Sequence, residues 1–270
     1  MEGKLMLRLF LEGIPFGIAN TLPGMSGGTV ALIFYIYEPL IKAIKNINLP
    51  FLIPLGGGAA LGALLGASVI DRIFALYPGP LLALLAGMIL ASLRVTWHEA
   101  RREISGSTGK RLEKIINIVL VAAGLLVALY FTGGEGGDGS AGLPFIFTAS
   151  FLGSVTMLLP GISGASLMVV LGVYRQVITA IAGLDMLFIF VYLLGTLSGL
   201  LLFAWLLSWL IERYRRQLMF LLSGLILGSV FGVIPPGSGA AEAITFIVGF
   251  TLVFRLISWT RSREFSGVEF

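Results

Sequence analysis

Apolar stretches separated by short polar connections run along the whole chain. Most of them approach the roughly 20 residues that a helix needs to cross about 30 Å of hydrocarbon. The pattern therefore predicts an all-α, polytopic membrane protein. The predicted helical segments comprise residues 5–21, 24–44, 51–70, 80–97 and 114–132, followed by 143–159, 161–182, 186–211, 217–234 and 243–260.

An internal repeat relates the two halves of the chain. An offset of 137 residues places Pro23 on Pro160 and Gly24 on Gly161. The same register pairs Ser26 with Ser163, Gly27 with Gly164, Tyr37 with Tyr174, Gly58 with Gly195, Gly62 with Gly199, Tyr77 with Tyr214, Gly87 with Gly224 and Ser92 with Ser229. Self-similarity at a fixed offset indicates duplication. We predict two repeats of five segments each, at 1–132 and 143–270, joined by an external glycine-rich linker at 133–142.

The basic residues predict how the repeats insert, because lysine and arginine hold short loops on the cytoplasmic side. They follow the fourth segment, precede the ninth and end the chain, at Arg94, Arg101, Arg102, Lys110, Arg111, Lys114, Arg213, Arg215, Arg216, Arg261 and Arg263. The connectors 133–142 and 235–241 contain neither residue type. The fourth segment would then run inward and the ninth outward. We therefore predict inverted repeats, an arrangement found in many secondary transporters, with both termini cytoplasmic.

Composition narrows the chemistry that the chain can perform. Hydrophobic residues make up 57% of the chain and charged residues 12%, with a mean hydropathy of +0.99. A soluble domain carries about a quarter charged residues, so a water-soluble globule is excluded. The chain has no cysteine and one histidine, His98, and its carboxylates are scattered. We therefore expect no metal site, no cofactor and no nucleic-acid partner.

Two glycine-containing turns interrupt apolar segments at matched positions. Residues 20–29 contain PGMSGGT, and residues 156–166 contain PGISGAS. Pro23 and Pro160 lack the amide donor that a continuing helix uses, and the following glycines permit a tight backbone path. Such breaks are tolerated in a membrane where the freed backbone is buried in protein or lines a cavity. We expect each turn to form the tip of a re-entrant hairpin, while two full crossings or simple small-residue packing remain alternative interpretations.

The residues after each break are the candidate binding groups. New helices begin there, so unpaired N–H groups, hydroxyl groups and the positive ends of helix dipoles converge. Such an environment favours an anion, for example a phosphate. We predict that the substrate is bound by Ser26, Gly27, Gly28 and Thr29 of the first turn and by Ser163, Gly164, Ala165 and Ser166 of the second.

Other polar residues have both a functional and a structural interpretation. Tyr37 and Tyr174 could bind substrate or serve as amphipathic anchors. Arg175 could steer a phosphate or cap its helix at the interface. Glu12 lies within the first apolar segment, where ionisable groups are rare and usually functional. It could take part in coupling or gating, or it could pair with Arg8 one turn away.

At the two turns the chain resembles the DUF368 family of prokaryotic membrane proteins, which includes polyprenyl-phosphate transporters. Family members pair an early PGxSGGT followed by GxY with a later PGxSG followed by GxY. Here PGMSGGT is followed by Tyr37, and PGISGAS is followed by Gly172-Val173-Tyr174. The chain departs from the family at Phe34-Tyr35, where glycine is common.

The resemblance implies that undecaprenyl phosphate, or a similar polyprenyl phosphate, is moved from the outer to the inner leaflet of a prokaryotic cytoplasmic membrane. The partners would then be this lipid, the surrounding membrane lipids and a coupling proton or sodium ion. Asn20 stands where the family often has an acidic residue, so coupling or gating would involve Asn20 or Glu12.

Two other functions fit parts of the pattern. Undecaprenyl-diphosphate phosphatases also have inverted repeats and a PGxSRS turn, but Gly27 and Gly164 replace that arginine here. No pair of acidic residues four apart occurs in an early apolar segment, so we expect that the chain is not an enzyme. A carrier or channel for a small soluble anion is the other alternative. Its pore would close around the ion, whereas a lipid carrier should open sideways to the membrane.

Overall fold

A computed structural model describes residues 2–20, 26–102, 110–132, 141–234 and 239–264. The regular elements within these residues are all helices, which confirms the predicted all-α class. They are α1 (Glu2–Asn20), α2 (Gly27–Ile33), α3 (Tyr37–Lys45), α4 (Leu49–Leu76), α5 (Pro78–Arg102), α6 (Lys110–Thr132), α7 (Leu143–Leu158), α8 (Gly164–Val170), α9 (Tyr174–Ala182), α10 (Met186–Val233) and α11 (Ala240–Glu264).

Five helices in the described part of the chain are long and apolar enough to cross a membrane: α4, α5, α6, α10 and α11. The predicted segments 186–211 and 217–234 are joined in α10, which is kinked at Tyr214. Tyr214 has φ −134° and ψ 37°, close to the φ −138° and ψ 58° of Tyr77 between α4 and α5. The separation of these two segments is therefore a kink rather than a loop.

The prediction of single helices at 24–44 and 161–182 is wrong. Each stretch contains two short helices, α2 with α3 and α8 with α9, which are far shorter than a membrane crossing. The break between them contains a left-handed residue, Tyr35 with φ 58° or Gly172 with φ 72°. A non-glycine residue pays about 1–2 kcal/mol for this conformation. At Tyr35 the deep burial of the following residues, Ile36 and Tyr37, holds the chain in place.

Local structure recurs at the 137-residue offset that relates the sequences. The bounds of α2 and α3 fall on those of α8 and α9, and α4 falls on the first arm of α10. Even the helix caps correspond, because Asn48 accepts a hydrogen bond from the Phe51 amide and Asp185 accepts one from the Phe188 amide. The opposite insertion of the two repeats remains a prediction.

Small residues allow the first helix of each repeat to pack closely on the fourth element of that repeat. A methyl group on Gly58 or Gly62 would overlap backbone carbonyl groups of α1. At Gly195 and Gly199 it would overlap α7. The small-xxx-small spacing of these glycines, which favours close helix contact in membranes, therefore serves packing.

The last helix of each half packs on the other half. Helix α6 lies along the second arm of α10, and α11 lies along α5. Matched glycines make both contacts possible, because Gly87 meets the Phe246 carbonyl and Gly224 meets the Val121 carbonyl. Within this frame α2 is buried along its whole length. The end of the first turn, where α2 begins, is thus buried in the protein.

Candidate functional site

The two glycine-containing turns meet directly. The Ser26 hydroxyl donates a hydrogen bond of 3.1 Å to the Leu159 carbonyl, just before Pro160. The Gly161 amide in turn lies 3.3 Å from both the Ser26 Oγ and the Thr29 Oγ1 atoms. Side chains of the first turn therefore bond to the backbone of the second. The contact joins residues about half the chain apart.

Tyr37 reinforces this contact from the start of α3. Its hydroxyl donates a 3.1 Å hydrogen bond to the Leu158 carbonyl at the end of α7. The Tyr37 side chain is buried, so this bond satisfies a polar group that would otherwise be costly. The backbone at Leu158 and Leu159 therefore accepts hydrogen bonds from both sides of α2, from Ser26 before the helix and from Tyr37 after it.

In the described part of the first turn, the Ser26 and Thr29 hydroxyl groups are both engaged in hydrogen bonds. Ser26 is 2% exposed and Thr29 is 0% exposed. The Ser26 Oγ and Thr29 Oγ1 atoms lie 3.1 Å apart, and Ser26 also caps α2 by accepting from the Thr29 amide. An anion could reach these hydroxyls only after the contact with the second turn opens. In this conformation the first turn is closed.

The second turn is more accessible. Ser163 and Gly164 are partly exposed, and the Ser163 side chain makes no capping hydrogen bond to α8. Position 161 requires glycine, because its φ is 90° and an added methyl group would lie 2.6 Å from the Leu225 carbonyl. The two turns thus have related sequences but unlike environments.

Some predicted residues lie away from this contact or outside the described part of the chain. Tyr174 and Arg175 are exposed at the start of α9, and Asn20 is exposed at the end of α1. Pro23 and Gly24 lie outside the described residues, as do the side chains of Ala165 and Ser166. The structure therefore brings together Ser26, Gly28, Thr29 and Tyr37 with the backbone of residues 158–161.

Glu12 pairs with Arg8, one of the two interpretations that the sequence allowed. The Glu12 Oε1 atom lies 2.8 Å from the Arg8 Nε atom. The second carboxylate oxygen of Glu12 is buried and has no hydrogen-bond partner among the described residues. Phe16, one turn further along α1, packs on Gly27 of the first turn. Glu12 therefore lies one helical turn before the residue that packs on Gly27.

Ion pairs that the sequence analysis did not identify connect α3 to α10, and Arg215 of α10 also pairs with α5. The Arg215 Nη2 atom lies 2.6 Å from Glu38 Oε1 on α3 and 3.0 Å from Glu99 Oε2 on α5. A longer contact of 3.8 Å joins Lys45 on α3 to Glu212 on α10. The sequence signal for these ion pairs is the cluster of arginines beside Tyr214, although from the sequence that cluster indicates only topology.

An apolar cavity of about 550 Å³ adjoins the contact between the turns. Gly28 and Leu158 belong both to that contact and to the cavity wall. The cavity is also lined by Phe16 and by residues of α3, α4 and α10, and Thr196 and Tyr37 are its polar side chains. Its size falls within the range of roughly 300–1,000 Å³ that ligand pockets occupy. Within the described residues, no group of three or more histidine, aspartate or glutamate side chains is placed to hold a metal ion.

The apolar helices, which are long enough to cross a membrane, define a multi-pass membrane protein, and a cavity adjoins the contact between its two turns. Residues 16–50 and 43–252 match the family described as "VCA0040-like: Undecaprenyl phosphate translocase-like". The chain belongs to this family. The resemblance seen at the two turns is thereby confirmed over most of the chain.

Two curated relatives carry the same name. The chain is 31% identical over 257 residues to a polyprenyl-phosphate transporter of Vibrio cholerae serotype O1, covering 85% of this chain and 79% of that protein. It is 27% identical over 285 residues to a polyprenyl-phosphate transporter of Staphylococcus aureus, covering 94% and 97%. No solved structure matches this chain significantly. The relatives are transporters, which confirms the prediction that the chain is not an enzyme.

Proposed function

We propose that this transporter moves undecaprenyl phosphate, or a similar polyprenyl phosphate, from the outer to the inner leaflet of the cytoplasmic membrane. The phosphate binds where the two turns meet, and the repeats are inserted in opposite orientations with both termini cytoplasmic. The observation that carries this proposal is the direct hydrogen bonding between the two turns. The names of the two relatives support the same substrate.

The groups in this contact have the chemistry that a phosphate needs. The hydroxyls of Ser26 and Thr29 and the Gly161 amide are donors that now bond within the protein. Phosphate oxygens are stronger hydrogen-bond acceptors than a carbonyl oxygen. They can therefore replace the backbone carbonyl as the acceptor when the turns separate. Transferring a phosphate out of water is costly, and several converging donors offset that cost. The tail of the lipid needs no polar route.

The unlike burial of the two turns supports alternating access. The first turn is closed while Ser163 and Gly164 of the second remain partly exposed. In transporters with inverted repeats, rocking of one repeat against the other exposes a central site to each side in turn. Ser163 and Gly164, with Ala165 and Ser166, would receive the phosphate first. Ser26 to Thr29 would bind it as their hydroxyls are released.

The remaining predicted residues have supporting roles in this proposal. Arg175 and Tyr174, at the exposed start of α9, attract the headgroup towards the second turn. Tyr37 holds the first hairpin against α7 until substrate binds. Glu12, with its partly unpaired buried carboxylate, is the candidate for coupling to a proton or sodium ion, and Asn20 lies between it and the turn.

Transport by the purified full chain tests the proposal. Proteoliposomes containing labelled undecaprenyl phosphate should show protein-dependent movement of the lipid between leaflets, measured as its loss of accessibility to a phosphatase added outside. Parallel vesicles should be tested for uptake of labelled inorganic phosphate. Lipid movement without phosphate uptake is the expected result. Inactive lipid transport under both proton and sodium gradients would contradict the proposal, and phosphate uptake would favour a soluble-anion carrier.

Valine substitutions at Gly27 and Gly164 do not test phosphate binding alone, although both glycines belong to the turn motifs. A side chain at Gly27 would collide with the Phe16 ring, and one at Gly164 would lie 2.7 Å from the Gly153 carbonyl. Loss of transport in either variant would therefore report disturbed packing as well as lost phosphate approach.

A further inference from the structure

We propose that the apolar cavity beside the turns binds the first isoprenoid units of the transported lipid. The inference rests on the proposed function, and it assigns a second part of the same site. The phosphate would occupy the contact between the turns. The hydrocarbon next to it would lie along the cavity and leave towards the membrane between α4 and α10.

The cavity begins where the phosphate is expected. Gly28 lies in the first turn and forms part of the cavity wall. An added methyl group on Gly28 would lie 2.8 Å from the Leu158 carbonyl and 3.0 Å from the Pro160 nitrogen. A lipid with its headgroup between the turns therefore has its first tail atoms at the inner end of this cavity.

The walls are suited to hydrocarbon and unsuited to a free ion. None of the described residues that line the cavity has a charged side chain, and the Tyr37 hydroxyl is already bonded to the Leu158 carbonyl. A tail that enters the cavity leaves other hydrocarbon rather than water, so van der Waals contact with the apolar walls is what stabilises it there. A soluble phosphate would find almost no donors along this path, so the cavity adds affinity only for a ligand with a tail.

The rim of the cavity faces the membrane. Gly56 on α4 and Leu197 on α10 are both exposed, and they line the cavity from helices that cross the bilayer. Ile47, in the connection between α3 and α4, is exposed as well. A tail can therefore pass from the cavity to the surrounding hydrocarbon without crossing a polar surface.

Gly56 provides a direct way to fill the cavity. A Cβ atom built on Gly56 meets no atom within 4 Å, so a phenylalanine there starts from open space at the cavity wall and should extend into the cavity. Its neighbour Gly57 is equally exposed, does not line the cavity, and would make an ordinary contact with the Phe10 ring at 3.7 Å. Gly56→Phe and Gly57→Phe are thus a matched pair on one helix.

Both variants and the wild-type chain should be compared in proteoliposomes with labelled undecaprenyl phosphate, using farnesyl phosphate as a competing lipid. Excluding even a small group from a hydrophobic pocket weakens binding by about tenfold or more. We expect Gly56→Phe to slow undecaprenyl phosphate transport, and to raise the farnesyl phosphate concentration needed for inhibition, by at least this factor. Gly57→Phe should behave like the wild type.

The outcomes separate the two proposals. A wild-type chain that moves no polyprenyl phosphate would overturn the proposed function itself. A wild-type chain that is active, with Gly56→Phe equally active, would overturn only the tail site and would mean that the cavity holds an ordinary lipid chain. If Gly56→Phe fails to fold, Leu197→Trp fills the cavity from the opposite wall. Leu193→Trp is its control, because Leu193 is exposed one turn earlier on α10 and does not line the cavity.

Discussion

The turn at Ser26–Thr29 is buried and bonded through its side chains, whereas the related turn is partly exposed at Ser163 and Gly164 and meets the first through the backbone of Leu159 and Gly161. The two turns also differ in the charged residues of the helices that follow them. Glu38 on α3 pairs with Arg215, but the matched positions hold Arg175 and Pro78, which cannot form the same ion pair. Duplication thus supplies two similar turns, but the ion pair beside the first turn is not duplicated beside the second.

The largest expected effect comes from separating the turns at Gly28. Gly28→Val would force apart the first turn and the Leu158–Pro160 backbone, so transport should be abolished. Gly57→Val on α4 is the control, because its side chain meets only a flexible ring at an ordinary distance. The measurement is undecaprenyl phosphate movement in proteoliposomes at equal protein incorporation. Full activity of Gly28→Val would show that the contact between the turns is dispensable.

A smaller effect should distinguish the roles of the two turns. Thr29→Val removes an acceptor for the Gly161 amide inside a buried cluster, which typically costs about 1–3 kcal/mol. Thermal unfolding should therefore occur at a lower temperature, and transport should fall. Ser163→Ala removes a hydroxyl that makes no capping bond, so stability should change by less than about 0.5 kcal/mol while transport still falls. Equal stability of both variants would contradict the described difference between the turns.

The smallest expected effect is a shift in accessibility rather than a loss of activity. The chain has no cysteine, so Ala31→Cys introduces a single reporter in the buried helix α2. Arg215→Gln breaks the contacts to Glu38 and Glu99 and should increase maleimide labelling of this cysteine several-fold. Lys45→Gln should change labelling little, because its ion pair is long and its partner Glu212 is exposed. Equal labelling of the introduced cysteine in the Arg215→Gln and Lys45→Gln variants would show that Arg215 does not keep α2 inaccessible.

The sequence predicted the features that depend on composition and spacing. Membrane-crossing segments followed from length and hydropathy, and the matched prolines and glycines indicated both turns. It could not reveal that Tyr35 adopts a left-handed conformation, since the residue itself gives no such signal and only Gly172 at the matched position does. For the same reason the sequence predicts one segment where the structure has a short helix on either side of Tyr35.

Features that depend on long-range packing were also missed. The partners of Arg215 lie on α3 and α5, far away in sequence, and Glu38 gave no sign of which arginine it would meet. The hydroxyls of Ser26 and Thr29 were expected to be available to an anion, but they bond to the second turn. That outcome depends on the distance between the two turns, which sequence spacing does not specify.

The exchange of α6 and α11 between the two halves has a consequence for biogenesis. During synthesis α6 leaves the ribosome long before the second arm of α10, on which it packs, and α11 completes α5 only at the end. Neither half contains all the surfaces that its own helices need. Fragments divided within residues 133–140 should therefore be degraded when expressed singly and persist when produced together in one cell.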